Sequence, residues 1–295
     1  MMFYRRKVLL SVLEGFGGRL SKTSLQKLLF LVTRQQQTAS FDFLPYHYGC
    51  YSYQIAWDIR ALAKYGFVKE SENECELTNP AGYIAQLKVE DKSAVLHTYR
   101  AYKEYDADAL IKETYVNYPY FAIKSRIAER VLTTAQYQRV QEQTPQKDSP
   151  SLFTMGYEGL SFEKYFNKLI VNDIKVLCDV RRNPLSQKVG FSKGTLQKAC
   201  DALGIVYVHL PELGIESSKR QSLHTQRDYD ELFADYEANH LVNQGGGLDK
   251  IMQLLSTYGR VALTCFEASH CQCHRGRVAK ALVSRPGFDM PLKHI

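Results

Sequence analysis

From residue 151 to the end of the chain, short apolar stretches alternate with amphipathic helical patterns. Strands that are joined through helices form parallel sheets with both faces covered. The alternation therefore predicts an α/β fold with a largely parallel sheet in this half of the chain. The predicted strands are 152–155, 174–178, 205–208 and 261–265; the predicted helices follow Ser161 and Ser192 and cover 226–238, 248–258 and 276–283.

The first half of the chain carries mainly helical patterns. A first helix ends at two glycines, a second begins at a capping box of Thr23 and Gln26, and a third begins at Ser52. Short apolar segments on both sides of an acidic tip, 67–69 and 75–77, predict a hairpin. Three helices followed by a hairpin is the order of a winged helix-turn-helix, and longer helices are predicted over 80–140.

A polar segment with two prolines, 141–151, predicts a linker between the halves. We therefore expect a mostly helical winged-helix domain at 1–145 and an α/β domain at 151–295. A chain of 295 residues with 45% hydrophobic residues is long enough for two such cores.

Composition limits the possible partners and location. No window has the roughly 18 apolar residues of a membrane helix, and no signal peptide is recognisable, so a cytoplasmic protein with no membrane partner is expected. The net charge is +7, divided as +4 over 1–145 and +3 over 146–295, which permits an anionic partner. Seven scattered cysteines argue against a disulfide framework.

The third predicted helix would be the recognition helix if the first domain binds DNA. Its polar positions form only a thin basic face, whereas several Lys or Arg contacts to phosphate normally dominate affinity. DNA binding, protein binding and a packing role all stay open. The polar positions are Gln54, Asp58, Arg60 and Lys64.

Polar side chains follow each of the four predicted strands of the second domain. Ligands of open α/β sheets bind outside the carboxyl ends of the strands, and parallel strands bring those ends to one edge. The sequence therefore predicts a single crevice with residues from four loops. Those residues are Tyr157, Glu158, Asp179, Arg181, Arg182, His209, Glu212, Glu267, His270, Cys271, Cys273, His274 and Arg275.

Two arginines indicate an anionic ligand. Arg181 and Arg275 suit bidentate contacts to phosphate or carboxylate, and Cys273 precedes a predicted helix start, where free N–H groups favour an anion. The alternative is that Asp179 and one arginine form an ion pair that braces two loops.

Acid/base, thiol and metal chemistry are three interpretations of the remaining residues. Asp179 and Glu267 are candidates for acid/base work, and Cys273 is a candidate nucleophile because a helix N-terminus beside Arg275 would lower its pKa. His274 is also a catalytic candidate. Cys265, Cys271, Cys273 and His274 include zinc-type ligands, but the usual spacing and a second ligand pair are missing, so no metal and no cofactor are predicted.

Several motifs of the second domain resemble the domain of unknown function 488 family. They are TMGYEG at 154–159, CDVRRNP at 178–184 with Ser186, FS at 191–192, GIVYVHLPELG at 204–214, CFE at 265–267 and CHR at 273–275. The resemblance covers most of 152–285 and implies a Rossmann-like α/β fold without a settled reaction. It adds Ser186 to the expected ligand-binding residues, which are Tyr157, Glu158, Arg181, Arg182, His209 and Arg275.

The first domain resembles the Panacea or SocA-like antitoxin domain over roughly 5–80. The stretches that carry this are LQKLLFL at 25–31, LPYHYG at 44–49 with YS at 51–52, and ALAKYGFV at 61–68, with Cys50 in place of the family's usual proline. The resemblance implies a toxin–antitoxin or phage-defence setting.

Two functions follow. One is an enzyme that acts on a nucleotide or nucleic acid by hydrolysis or glycosidic cleavage, with Glu267 or Asp179 as the acid/base. The other is a non-catalytic regulator that binds an anionic ligand through the α/β domain and DNA or a partner protein through the winged helix.

Overall fold

A computed structural model describes residues 2–216 and 225–295 of the chain. The chain divides into two compact units, Met1–Thr144 and Pro145–Ile295. Across these described ranges, every helix is too short or too polar to cross a membrane.

The first unit is mostly helical and contains two small antiparallel sheets. Strand β1 pairs with β5, which pairs with β4, and β2 pairs with β3 in a separate hairpin. The elements are α1 (Tyr4–Gly15), β1 (Arg19–Ser21), α2 (Lys22–Thr33), β2 (Leu44–Tyr46), β3 (Gly49–Tyr51), α3 (Tyr53–Lys64), β4 (Val68–Glu70), β5 (Glu74–Leu77), α4 (Val89–Tyr102), α5 (Ala107–Asn117), α6 (Ala128–Val131) and α7 (Thr134–Glu142).

Two details of the first unit differ from the sequence prediction. The capping box at Thr23 is wrong, because β1 leads directly into α2 and Ser21 caps that helix by accepting the N–H of Ser24 at 3.0 Å. The Gln26 side chain instead bonds the backbone N–H and C=O of Ser52, both at 2.9 Å.

Asp58 is not part of an exposed face of α3. Its carboxylate is fully buried and forms ion pairs with Arg5 at 2.6 Å and Arg6 at 2.7 Å. The exposed basic residues of α3 are Arg60 and Lys64. The predicted helix order and the β4–β5 hairpin are present, while the likeness to an antitoxin domain stays a prediction.

The second unit contains a five-stranded sheet in the order β10-β6-β9-β7-β8, and all its pairings are parallel. The predicted α/β fold with a largely parallel sheet is therefore confirmed. The elements are β6 (Ser151–Gly156), α8 (Phe162–Val171), β7 (Val176–Asp179), α9 (Lys193–Leu203), β8 (Val206–His209), α10 (Gln226–Asp235), α11 (Gly245–Tyr258), β9 (Arg260–Cys265), α12 (His274–Val283) and β10 (Leu292–His294).

Local sequence explains the central elements of this sheet. Every residue of β6, β7 and β9 is buried, as expected for strands that are covered on both faces. Ser161 caps α8 by accepting the N–H of Lys164 at 3.1 Å, as predicted. Ser192 is the N-cap residue of α9, but its Oγ bonds the backbone of Ser186 instead of the helix.

Candidate active site

A cavity of about 360 Å³ lies where the carboxyl ends of the parallel strands meet. Its wall is formed by the segments after β6, β7 and β8, the last through Ile215, and by the end of β9 together with the start of α12. The sheet thus brings residues that are far apart in the chain to one opening. Five predicted site residues line it: Tyr157, Arg181, Arg182, Ser186 and His274.

Asp179 and Arg181 form a buried ion pair at the end of β7. Arg181 Nε donates to Asp179 Oδ1 at 2.8 Å and Nη2 donates to Oδ2 at 2.5 Å. Tyr207 of β8 donates to the same Oδ2 at 2.6 Å. Burial by itself would lower the pKa of Arg181, but the hydrogen bonds and charge of Asp179 outweigh it and raise that pKa. The carboxylate is thus committed to the ion pair, which corresponds to the bracing alternative.

Tyr157 and Ser186 extend this network to the cavity wall. Arg181 Nη1 donates to Tyr157 Oη at 2.7 Å and to the carbonyl of Phe191 at 2.9 Å, and Tyr157 donates to Ser186 Oγ at 3.4 Å. The Tyr157 ring stacks on Phe191 with centroids 4.4 Å apart. The network leaves little of the Arg181 guanidinium for an anion, since its hydrogen-bond donors already serve the protein.

Arg182 and Lys188 are the other cationic residues of the wall. Arg182 is exposed, and Lys188 is half-buried with Nζ donating to the carbonyl of Tyr157 at 2.7 Å. Burial lowers the pKa of Lys188, and the charge of Glu158 partly opposes that effect. Phe266 also lines the cavity and is 41% exposed, so the opening combines cations with an accessible aromatic ring.

Arg275 and Glu158 hold the loop that follows β9. Arg275, which is only 2% exposed, donates from Nη1 to the carbonyl of Glu267 at 2.6 Å and from Nη2 to that of Ala268 at 2.9 Å. The carboxylate of Glu158 accepts the N–H of Ala268 at 2.8 Å. Both residues were predicted to bind ligand; their contacts here support the loop, and the ligand-binding role of each stays a prediction.

A backbone approach at Gly156 fixes the same loop against β6. A Cβ at this position would lie 1.8 Å from the carbonyl oxygen of Glu267 and 2.7 Å from its carbonyl carbon. Only glycine permits this approach, and it places Glu267 at the carboxyl edge of the sheet.

Cys265, Cys273, His274 and Glu267 form a mostly buried group beside the cavity. Cys265 Sγ donates to Glu267 Oε2 at 3.2 Å and lies 3.6 Å from His274 Nδ1. His274 Nε2 donates to the carbonyl of Val180 at 2.8 Å. Burial raises the pKa of the Cys273 thiol well above its ordinary value, which keeps the thiol protonated. Cys273 is fully buried, so Cys265 is the thiol that lines the cavity.

Residues 161–282 match the sequence profile of a protein family described as Domain of unknown function DUF488. The second unit carries a DUF488 domain. No curated protein matches the chain.

His209 lies at the end of β8 in the DUF488 domain and is only partly exposed. Its Nε2 donates to the carbonyl of Arg181 at 2.9 Å, and Lys193 Nζ donates to its Nδ1 at 3.3 Å. These contacts place His209 against the brace formed by Asp179 and Arg181. The predicted role of His209 in ligand binding stays a prediction.

The cavity residues of the DUF488 domain that sequence reasoning missed include Lys188, Phe266 and, as a wall residue, Cys265. Lys188 lies in the segment between β7 and α9, and no periodic pattern marks it as part of the wall. Cys265 ends an apolar strand, which suggested a packing role. The position of Phe266 directly after a strand end was the one available signal, because side chains at that edge meet the ligand.

Proposed function

We propose that the DUF488 domain is an enzyme that cleaves an anionic substrate of the nucleotide class by hydrolysis, with a glycosidic bond included among the candidates. The observation that carries the proposal is the joint presence at one cavity of two wall cations, Arg182 and Lys188, an accessible aromatic ring and an adjacent carboxylate. Cations and an aromatic platform are what a phosphate and a base require of a binding site. The carboxylate can transfer a proton, which an enzyme needs and a site that only binds its ligand does not.

The proposed substrate contacts are Arg182, Lys188 and Phe266. Arg182 is exposed at the wall, and its fixed positive charge and planar donors suit phosphate. Phe266 offers the ring on which a base stacks. Arg181 and Arg275 support these contacts indirectly, because they hold the two loops that carry them.

Glu267 is the proposed acid/base. Asp179 fits this role poorly, because it is fully buried and accepts hydrogen bonds from Arg181 and Tyr207. Glu267 is partly exposed and lies within hydrogen-bond distance of Cys265, which lines the cavity. A general base must reach the proton it removes either directly or through one water.

The test is incubation of the protein with a panel of nucleotides and oligonucleotides, with product detection by mass spectrometry and binding by calorimetry. Glu267→Gln should reduce turnover by about 10²–10⁴-fold with affinity nearly unchanged, since it removes proton transfer but keeps size. Arg182→Ala should mainly weaken binding. Glu231→Gln and Arg227→Ala on the exposed face of α10 are the matched controls and should change neither quantity.

A ligand that binds the wild-type protein tightly and never reacts would contradict the enzyme for that ligand. It would favour the regulator, in which anion binding by the DUF488 domain has no chemical step.

For the first unit we propose a winged-helix module that binds DNA or a partner protein. The support is the arrangement of α1, α2 and α3 with the sheet β1-β5-β4, and the exposed Arg60 and Lys64 on α3. Fluorescence anisotropy with labelled duplex DNA at several salt concentrations is the test. The double variant Arg60→Ala with Lys64→Ala should bind DNA more weakly, and its affinity should depend less on salt. If the wild-type protein binds no duplex, the DNA alternative is wrong and the partner protein is the alternative that stands.

A further inference from the structure

We propose that Cys265, Cys273 and His274 bind a transition-metal ion of the zinc type, with one coordination position turned toward the cavity. The three ligand atoms, two Sγ and one imidazole nitrogen, all lie within 4.8 Å of one another, and all three residues are buried. Two thiolates and an imidazole are the donor set that zinc prefers.

The distances match a tetrahedral ion. Metal–sulfur bonds of about 2.3 Å and metal–nitrogen bonds of about 2.0–2.1 Å place the S and N ligands about 3.6 Å apart in a tetrahedron. Cys265 Sγ and His274 Nδ1 are 3.6 Å apart. An ion therefore fits between them with little movement of either side chain.

His274 is oriented as a metal ligand requires. Its Nε2 donates to the carbonyl of Val180 at 2.8 Å, so the proton is on Nε2 and the lone pair of Nδ1 faces the sulfur atoms. Ligating histidines typically donate their second ring nitrogen to such an acceptor, which fixes tautomer and ring orientation.

The fold explains why these residues meet despite unusual spacing. Cys265 ends β9, the chain then leaves the sheet for seven residues, and Cys273 and His274 return at the start of α12. Arg275 holds the intervening loop through the carbonyls of Glu267 and Ala268. A Cβ at Gly276 would lie 2.2 Å from the carbonyl oxygen of His270, so the loop packs directly on the helix.

Charge also supports an ion at this position. A divalent cation displaces the two thiol protons when it binds and neutralises the buried thiolates that result. Cys265 and His274 line the cavity whereas Cys273 is fully buried, so the fourth position faces the cavity. Glu267 Oε2, 3.2 Å from Cys265 Sγ, lies beside that position and could accept a hydrogen bond from a water bound there. This last step rests on the proposed function, but the metal site itself does not.

The experiment measures metal in the full-length chain. Protein purified under reducing conditions without chelator should contain stoichiometric zinc by elemental analysis, and the metal-free chain should develop the visible bands of tetrahedral cobalt thiolate on titration with Co²⁺. Cys265→Ser, Cys273→Ser and His274→Gln should each lose the metal. Cys271→Ser is the matched control, because Cys271 is exposed and contacts His270 outside the cluster, so it should retain metal.

Thermal unfolding with and without added zinc guards against variants that fail to fold. Zinc should raise the Tm of the metal-free wild-type chain and of Cys271→Ser, and should leave the Tm of Cys265→Ser unchanged. Absence of bound metal in the wild-type chain under all these conditions, equal metal content in every variant, or a disulfide between Cys265 and Cys273 in the reduced preparation would overturn the inference.

Glu267→Gln separates this inference from the proposed function. We expect this variant to keep its metal while losing turnover. Metal bound by a chain that converts no substrate would contradict only the proposed function, and turnover by a chain that binds neither zinc nor cobalt would contradict only the metal site.

Discussion

Arg181 and Asp179 meet at the carboxyl end of β7 through two hydrogen bonds, Nε to Oδ1 at 2.8 Å and Nη2 to Oδ2 at 2.5 Å. Both side chains are almost completely buried. Tyr157, which follows β6, and Tyr207 of β8 complete the hydrogen bonding of the pair. The ion pair therefore connects β6, β7 and β8 at the edge where the cavity opens, and the shape of the cavity depends on it.

Asp179→Asn should strongly destabilise the protein. The variant leaves the Arg181 cation buried without its counter-charge, and breaking a buried pair in this way costs about 3–5 kcal/mol. Urea unfolding followed by circular dichroism measures the loss. Glu231→Gln breaks the exposed Arg227–Glu231 pair and is the control, with an expected cost below about 1 kcal/mol. Equal small losses for both variants would show that Asp179 is not a brace.

Gly156→Ala should displace the loop that carries Glu267. The new Cβ would overlap the backbone of Glu267, and backbone cannot move aside as a flexible side chain can. Overpacking of this kind costs about 1–3 kcal/mol, and we expect turnover to fall as well. Gly194→Ala is the control, because nothing lies within 4 Å of its Cβ in α9 and the helix should gain about 0.5–1 kcal/mol. Thermal unfolding measures the stability of both variants. A Gly156→Ala variant that is as stable and as active as the wild type would contradict the close approach of Gly156 to the Glu267 backbone.

The periodic parts of this fold were predictable because their causes are local. Apolar runs marked four of the five strands of the large sheet, and the Ser161 cap marked the start of α8. Strand β10 was missed because Leu292, Lys293 and His294 contain no apolar run, and the strand exists through pairing with β6 at the sheet edge.

The sequence predicted where the residues of the candidate site would gather, but it did not predict the role of each residue. Arg275 at a helix start resembles an anion ligand in sequence, whereas in the fold its Nη1 and Nη2 donate to the carbonyls of Glu267 and Ala268. Sequence shows which groups can form hydrogen bonds, and only the folded chain shows which acceptor is nearest. The same limit concealed the convergence of Cys265 with Cys273 and His274, which depends on a loop that returns to the sheet.

Limited proteolysis should cut first between the two units. Helix α7 ends at Glu142 and β6 begins at Ser151, and the segment between them is largely exposed. Trypsin at Lys147 should release two fragments that stay folded, since exposed segments outside regular structure are preferred cleavage sites. Mass spectrometry identifies the cut, and Lys147→Gln should slow it. Fragments that unfold on separation would contradict two independent domains.

Lys27→Met should change how stability depends on pH. Lys27 is buried in the first unit with Nζ donating to the carbonyl of Cys50 at 2.8 Å, and burial lowers its pKa. The unfolded chain, in which the lysine pKa is about 10.4, then binds the proton more strongly than the folded chain. Between the lowered pKa and about 10.4 the unfolded state holds more protons, so Lys27 makes the free energy of unfolding rise with pH.

The wild-type free energy of unfolding minus that of Lys27→Met should therefore increase with pH between the lowered pKa of Lys27 and about 10.4, and it should level off above the unfolded lysine pKa. Tyrosines and cysteines also titrate in this range, but they are the same in both proteins and largely cancel in the difference. Lys64→Met, at an exposed position of α3, is the control and should show a difference that does not change with pH. Urea unfolding at several pH values measures all three proteins. If this difference in the free energy of unfolding stays constant or decreases as pH rises, burial does not disfavour the charged form of Lys27. The buried ammonium would then have a stronger partner than the Cys50 carbonyl.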